Sequence, residues 1–211
     1  MTDLNLYILT RNQDEETYMK HENVLSNRNE IQKIKKYEFQ TVVSLVNMLE
    51  KSITIKDLDG FYFSYTIQQI GKEFDLLKIH NKEKVLNIEL KSQDIPEEEI
   101  KDQLIKNRYY LEHIAEQLYL FTFVEKTQKI YQLKEENLEI CDLQELINII
   151  KNFDEFETGD INKLFLPNQF LISPLNTSDK FLEGKYFLTN QQREIKKEIM
   201  KEINENSLGK V

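Results

Sequence analysis

Three short apolar runs follow one another closely in the middle of the chain. They cover residues 61–67, 74–80 and 85–90, and aromatic or β-branched side chains dominate them. Such side chains favour extended strands, and links this short join strands that neighbour each other in a sheet. The pattern predicts a meander of three antiparallel strands, in which residues 81–84 form a hairpin turn.

Helical patterns lie on both sides of this meander. Apolar residues recur at steps of three and four between residues 29 and 51, which predicts an amphipathic helix. Pro96 is followed by three glutamates, a typical helix start, and predicts a helix over residues 96–117. The remaining predicted elements are strands at 4–9, 118–124 and 130–133 and helices at 143–150 and 189–206. The order predicts an α/β fold with a mixed central sheet flanked by helices.

The charge of the chain limits the partners that it can bind. Among 211 residues there are 28 basic and 37 acidic side chains, a formal net charge of −9. This balance argues against nucleic acid unless basic residues line a local cleft, for which residues 33–36 and 101–108 are the candidates.

Cysteine content and hydropathy predict a cellular location. The single cysteine, Cys141, cannot form an internal disulfide, and we expect it to be a buried structural residue. The first residues do not resemble a secretion signal, and the chain has no run of 18 apolar residues. The expectation is a cytoplasmic protein without membrane contact.

Two acids and a lysine come close together in the second and third predicted strands. Glu89 and Lys91 are two residues apart, so both point to one side of their strand, and the hairpin turn returns that strand beside Asp75. Neighbouring carboxylates repel unless a cation lies between them, and oxygen ligands suit Mg²⁺. A nearby lysine can offset the charge that develops on a phosphate. The simpler alternative is a set of solvent-exposed charges on an edge strand.

The sequence Asp75…Glu89-Leu-Lys91 resembles the D…(D/E)xK signature of the PD-(D/E)xK nuclease superfamily, although Phe74 replaces the proline of that motif. The order of elements over residues 30–133 is similar to the restriction-endonuclease-like core. The resemblance implies that Asp75, Glu89 and the backbone carbonyl of Leu90 bind Mg²⁺ or Mn²⁺. It also implies that Lys91 is the catalytic lysine.

The same resemblance implies further site residues on two helices. Members of the superfamily often carry an acid on the first helix, and Glu38 is the candidate here. They also often carry a glutamine or a basic residue on the helix after the strand with the ExK motif. Gln103 is the first choice for that position, followed by Lys106 or Tyr110. For each of these residues, an exposed position without a function is the alternative.

A second resemblance concerns the C-terminal residues. The segment Phe187-Leu-Thr-Asn-Gln-Gln is similar to the Leu-Thr-x-x-Gln segment that precedes the phosphate loop in superfamily 1 helicase-like ATPases. It implies that Gln191 or Gln192 would contact adenine. We expect a nuclease-like domain over residues 1–150, an irregular connector over 151–188 and the start of an ATPase domain over 189–211.

The sequence therefore favours a Mg²⁺-dependent nuclease that hydrolyses DNA. We expect it to be the nuclease part of a larger nuclease–helicase protein, of the kind found in phage defence, with the ATPase in the same polypeptide or complex. Two alternatives stay open: a catalytically inactive nuclease-like binding or regulatory module, and a protein-interaction domain that does not contact nucleic acid. The oligomeric state is open as well.

Overall fold

The computed structural model describes most of the chain up to residue 166 and little beyond it. The described residues are 3–11, 36–68, 70–80, 83–153, 160–166, 170 and 195, and for residues 36–38 the backbone alone is described. The chain divides into two compact units, residues 1–66 with 73–165 and residues 67–72 with 166–211. The first unit contains every helix that is discussed below and all residues of the predicted nuclease site.

The second unit contains the turn after the first strand. There the backbone N–H of Gly71 donates to the carbonyl of Ile67 at 3.0 Å. Gly71 has a φ of 70°, a conformation in which a Cβ atom would be crowded. The glycine therefore allows the chain to reverse here.

In the part of the chain that the structure describes, six strands form a single sheet. They are β1 (Phe61–Ile67), β2 (Lys72–His80), β3 (Lys84–Lys91), β4 (Gln117–Val124), β5 (Lys129–Lys134) and β6 (Asn137–Cys141). Their order in the sheet is the same as their order in the sequence. The pairs β2–β3, β4–β5 and β5–β6 are antiparallel, whereas β3 and β4 are parallel. The sheet is therefore mixed.

Among the described residues, four α-helices accompany the sheet. They are α1 (Leu6–Arg11), α2 (Lys36–Leu49), α3 (Glu97–Leu111) and α4 (Leu143–Lys151), and short 3-10 helices cover Ile55–Leu58 and Ile161–Lys163. Because β3 and β4 are parallel, the chain must cross over between them, and α3 is that crossover. The Asp142 carboxylate begins α4 by accepting a hydrogen bond from the backbone N–H of Gln144 at 3.0 Å.

The two faces of the sheet differ in what covers them. Successive strand residues point to opposite faces, so the even-numbered residues of β3 lie on one face and the odd-numbered on the other. We call the first the α2 face, because it packs against α2 in a cluster that includes Val42, Leu45, Leu86, Ile88, Phe121 and Phe123. The opposite face, which includes Asn87 and Glu89, is called the α3 face because side chains of α3 bind there.

The predicted α/β architecture with a mixed sheet and flanking helices is confirmed. Helices and strands are present at the predicted places from residue 36 to residue 151, with shifted ends. The helix predicted over residues 96–117 is shorter in the structure, where it ends at Leu111, and β4 begins at Gln117. Two predicted helices lie partly or almost wholly outside the described residues. These are the helix over 29–51, described from residue 36 onward, and the helix over 189–206, of which residue 195 is described.

Two predictions of secondary structure are wrong or incomplete. Residues 4–9 were expected to form a strand, but α1 begins at Leu6, while Leu4 alone forms an isolated bridge with Phe61. The Asn5 side chain starts this helix by accepting the backbone N–H of Ile8 at 3.0 Å. Strand β6 was not predicted, because its residues alternate weakly and most of them are exposed.

Cys141 is buried as expected and has a free thiol. Burial, together with the nearby charge of Glu145, raises the pKa of this thiol to about 12. The thiol therefore stays protonated at neutral pH, which agrees with a structural residue. Among the described helices, none combines the length and the apolar character that crossing a membrane requires.

Candidate functional site

Asp75 and Glu89 lie on neighbouring antiparallel strands. In the ladder between β2 and β3, Leu76 pairs with Ile88. Asp75 precedes the first of these residues and Glu89 follows the second, so the two acids are adjacent where the ladder ends. Since Leu76 and Ile88 both point to the α2 face, both acids point to the α3 face. The hairpin brings the predicted pair of carboxylates together.

The Asp75 carboxyl is held in a position where a negative charge is unfavourable. Its Oδ2 accepts the backbone N–H of Leu90 at 2.8 Å. Burial and the nearby charge of Glu89 raise the pKa of Asp75 well above its usual range, while Lys91 and the Leu90 N–H act in the opposite direction. A bound cation would favour the charged form of this carboxyl, as Lys91 does.

Glu89 is almost completely buried, with 1% of its surface exposed. Its Oε2 accepts a hydrogen bond from Nε2 of Gln103 on α3. Its Oε1 accepts a second from Nδ2 of Asn107 at 2.7 Å and a third from Nδ2 of Asn87 at 3.2 Å. Three amide groups thus compensate for the loss of water around this carboxylate.

The two asparagines also bind each other. Nδ2 of Asn107 donates to Oδ1 of Asn87 at 2.6 Å, and Nδ2 of Asn87 donates to the carbonyl of Leu76 at 3.1 Å. Both asparagines are fully buried. The sequence reasoning missed them, although a signal was present: Asn87 is the one polar residue among the apolar positions before Glu89, and Asn107 is one helical turn after Gln103.

Lys91 ends β3 and is half-buried, two residues after Glu89 on the same face. Its backbone carbonyl accepts the N–H of Glu125 at 2.8 Å, which fixes the end of the strand. Leu90 lies between the two, and its N–H reaches Asp75. The N–H and C=O of one strand residue point to the same neighbouring strand, and those of the next residue point to the other neighbour. Because the Leu90 N–H reaches Asp75 on β2, the Leu90 carbonyl faces β2 as well.

The helix candidates are placed less uniformly. Gln103 donates a hydrogen bond to Glu89 and so lies beside one of the two acids. Glu38 lies in the first turn of α2, but its side chain is outside the described part of the structure. Tyr110 is buried and packs edge-on against the Tyr109 ring, with ring centroids 5.1 Å apart. Lys106 is half-buried on α3. A catalytic role for any of these four helix residues stays a prediction.

One of the basic candidates for DNA contact is already engaged. Nη2 of Arg108 forms an ion pair with Glu136 at 2.5 Å, and its Nη1 donates to the carbonyl of Glu135. Both partners lie in the turn between β5 and β6. Arg108 therefore ties α3 to that turn.

The described residues contain no group of three or more His, Cys, Asp and Glu side chains that could hold a metal ion. Asp75 and Glu89 are a pair, and a backbone carbonyl would have to complete their set. No protein-family model matches the sequence, and comparisons with curated proteins and with solved structures find no match either.

Proposed function

We propose that this chain is a Mg²⁺-dependent nuclease with a restriction-endonuclease-like core, and that it hydrolyses DNA phosphodiester bonds. The observation that carries the proposal is the adjacency of Asp75 and Glu89 on β2 and β3, with Lys91 on the same face. The parallel β4 that follows the α3 crossover agrees with the order of elements expected for that core.

The donor set fits Mg²⁺ or Mn²⁺. Both cations prefer oxygen ligands and accept one or two protein carboxylates, completing their shells with water and phosphate oxygens. Among the described residues, Leu90 donates to Oδ2 of Asp75 and no hydrogen bond is found to Oδ1. Burial and the nearby Glu89 raise the pKa of Asp75, so a negative charge at this position is unfavourable without a cation. Asp75, Glu89 and the Leu90 carbonyl would hold the cation.

Each protein group then has a distinct task. A cation bound between the acids would polarise a phosphate oxygen of the DNA and lower the pKa of a water bound to the cation. The Lys91 ammonium would donate to a phosphate oxygen and offset the charge that develops during attack. Gln103 keeps the Glu89 carboxylate oriented through its hydrogen bond to Oε2. Glu38 stays a candidate for an additional acid on α2.

The proposal includes partners. DNA is an anionic polymer and the chain carries a net charge of −9, so binding would depend on local cations such as Lys91, Lys101 and Lys106. An ATPase or helicase in the same polypeptide or complex would present the DNA strand to the site. This partner is proposed from the segment at residues 187–192. A cytoplasmic location and a role in phage defence belong to the same proposal.

Cleavage assays test the function directly. Supercoiled, linear and single-stranded DNA are incubated with Mg²⁺ or Mn²⁺ and wild-type protein, Asp75→Ala or Lys91→Ala. We expect each substitution to reduce the cleavage rate about 10²–10³-fold, the usual effect of removing one charge-stabilising group. Lys126→Ala, in the exposed turn after β4, is the matched control and should cleave at the wild-type rate. Unchanged rates in both site variants would refute the assignment.

A second function, an inactive nuclease-like binding or regulatory module, is favoured by one observation. Both oxygens of Glu89 already receive amide hydrogen bonds, so the buried carboxylate is satisfied by the protein itself. This alternative predicts DNA binding that is unaffected by Mg²⁺ and no cleavage by the wild-type protein. Filter binding with and without a chelator, beside the cleavage assay, separates the two.

A further inference from the structure

The hydrogen bonds around Glu89 reach it from two sides. Asn87 lies on the same strand two residues earlier, and Asn107 lies on α3 above it. Gln103 binds the other carboxylate oxygen. With donors on both oxygens, neither the torsion of the carboxylate nor the rotamer of the side chain can change without the loss of a buried hydrogen bond. Such a loss costs about 1–3 kcal/mol.

The same hydrogen bonds extend to the strand that carries Asp75. Asn87 donates to the carbonyl of Leu76, the residue directly after Asp75, and accepts from Asn107. The two asparagines thus connect α3, β3 and β2 at the point where the acids meet. Any shift of α3 relative to the hairpin would have to break a hydrogen bond shorter than 3 Å.

A purely structural explanation of these asparagines meets a difficulty. Apolar side chains of similar volume would bury the same surface without any polar group to satisfy, and replacing both partners of a buried hydrogen bond in this way is often neutral or stabilising. Moreover, Oδ1 of Asn107 has no hydrogen-bond partner among the described residues, which is a cost that a structural role does not repay. The arrangement is better explained by what it does to Glu89.

We propose that Asn87 and Asn107 are positioning residues, which fix the Glu89 carboxylate in a preformed orientation for binding a divalent cation next to Asp75. This inference rests on the proposed function, because it assumes that the pair of acids binds such a cation. It differs from the role given to Gln103, since the asparagines also fix Glu89 relative to the strand of Asp75. Residues that orient ligands in this way typically contribute 10–100-fold to metal affinity.

The test measures Mn²⁺ binding to the full chain, without DNA. Electron paramagnetic resonance reports free Mn²⁺, so a binding curve is obtained whether or not the protein cleaves DNA. The variants are Asn107→Leu, which removes both hydrogen bonds of the amide, and Asn107→Ser, which leaves room for water if the leucine variant does not fold. Thr122→Val is the matched control. Thr122 pairs with Glu89 across the parallel ladder and is equally buried, but its hydroxyl has no partner among the described residues.

We expect each Asn107 variant to bind Mn²⁺ 10–100-fold more weakly than wild type while it unfolds cooperatively, and Thr122→Val to bind normally. In cleavage assays the concentration of Mn²⁺ for half-maximal activation should rise by the same factor, whereas the rate at saturating Mn²⁺ should change less. A merely structural role would lower the fraction of active protein without moving the activation midpoint.

The outcomes separate the two proposals. Mn²⁺ binding that depends on Asn107 without DNA cleavage would support the positioning role and refute the nuclease. Cleavage with an unchanged Mn²⁺ midpoint in a folded Asn107 variant would refute the positioning role alone. A wild-type protein that binds no Mn²⁺ at the site would overturn both.

Discussion

The two faces of the sheet are formed by the same strands, yet they bury different kinds of side chain. On the α2 face, Ile88 and Phe121 contribute to a continuous apolar cluster. On the α3 face, the adjacent positions Glu89 and Thr122 are just as inaccessible to water but polar. Alternation along β3 therefore separates two tasks, since Leu86 and Ile88 pack in the apolar cluster while Asn87 and Glu89 form the polar site.

The difference has an energetic consequence. Apolar burial yields about 25 cal/mol for each Å² removed from water, so the α2 face is a net source of stability. Buried polar groups gain back in hydrogen bonds roughly what they lose in hydration, and unpartnered ones lose more. The α3 face around Glu89 should therefore contribute little to folding. This contrast can be measured one side chain at a time.

The largest expected effect is on the α2 face. Phe121→Ala removes a fully buried ring from the cluster, and we expect it to lower the free energy of unfolding by about 3–5 kcal/mol. Urea denaturation followed by circular dichroism measures the change. Ile140→Ala on the edge strand β6, where 63% of the side chain is exposed, is the control and should stay within about 0.5 kcal/mol. Equal losses in both variants would contradict the described core.

A smaller, pH-dependent effect is expected on the α3 face. The pKa of Asp75 is raised in the folded protein, so the native state holds its proton to a higher pH than the unfolded chain does. Its contribution to stability is therefore present at acid pH and is lost as the pH rises through the raised pKa. Asp75→Asn cannot ionise, so its unfolding free energy relative to wild type should increase from pH 4 to pH 8.

Urea denaturation at several pH values tests this expectation. Asp102→Asn, at an exposed position of α3, is the matched control and should follow the wild-type curve. A cation between the acids would offset the same charge. Mg²⁺ at one hundred times its Kd should thus stabilise the wild type by about 2.7 kcal/mol, and chelation should remove this gain. Parallel curves for Asp75→Asn and wild type would mean that Asp75 is not under electrostatic strain.

The contrast between the faces also explains which parts of the site could be predicted. Asp75, Glu89 and Lys91 follow from local rules, because a period of two assigns the face and a short turn fixes which strands are neighbours. The family resemblance predicts Gln103 as a site residue, and in the structure its side chain donates to Glu89. Its catalytic role, like those of Glu38 and Lys91, stays a prediction.

The asparagines could not be found in the same way. Asn107 lies in a helix with many charged neighbours, where a polar residue usually faces solvent, and no local pattern tells which turn of α3 lies above β3. That depends on the crossover and on the parallel register of β3 and β4, in which Glu89 pairs with Thr122. Helix α1 is missed for a related reason, because it is short and the adjoining Leu4 bridges to Phe61, which is distant in sequence. Strand β6 pairs with its neighbour β5 and is missed because most of its residues are exposed.

The smallest expected effect comes from Thr122, the residue that pairs with Glu89 on β4. Its hydroxyl is buried and has no hydrogen-bond partner among the described residues. Thr122→Val keeps the shape and removes that unsatisfied group, so the free energy of unfolding should rise by about 1 kcal/mol or stay the same. The measurement is urea denaturation beside Phe121→Ala, its neighbour on the other face. A loss of more than about 1 kcal/mol would reveal a partner for this hydroxyl, and the polar face would then contribute to folding as well as to the site.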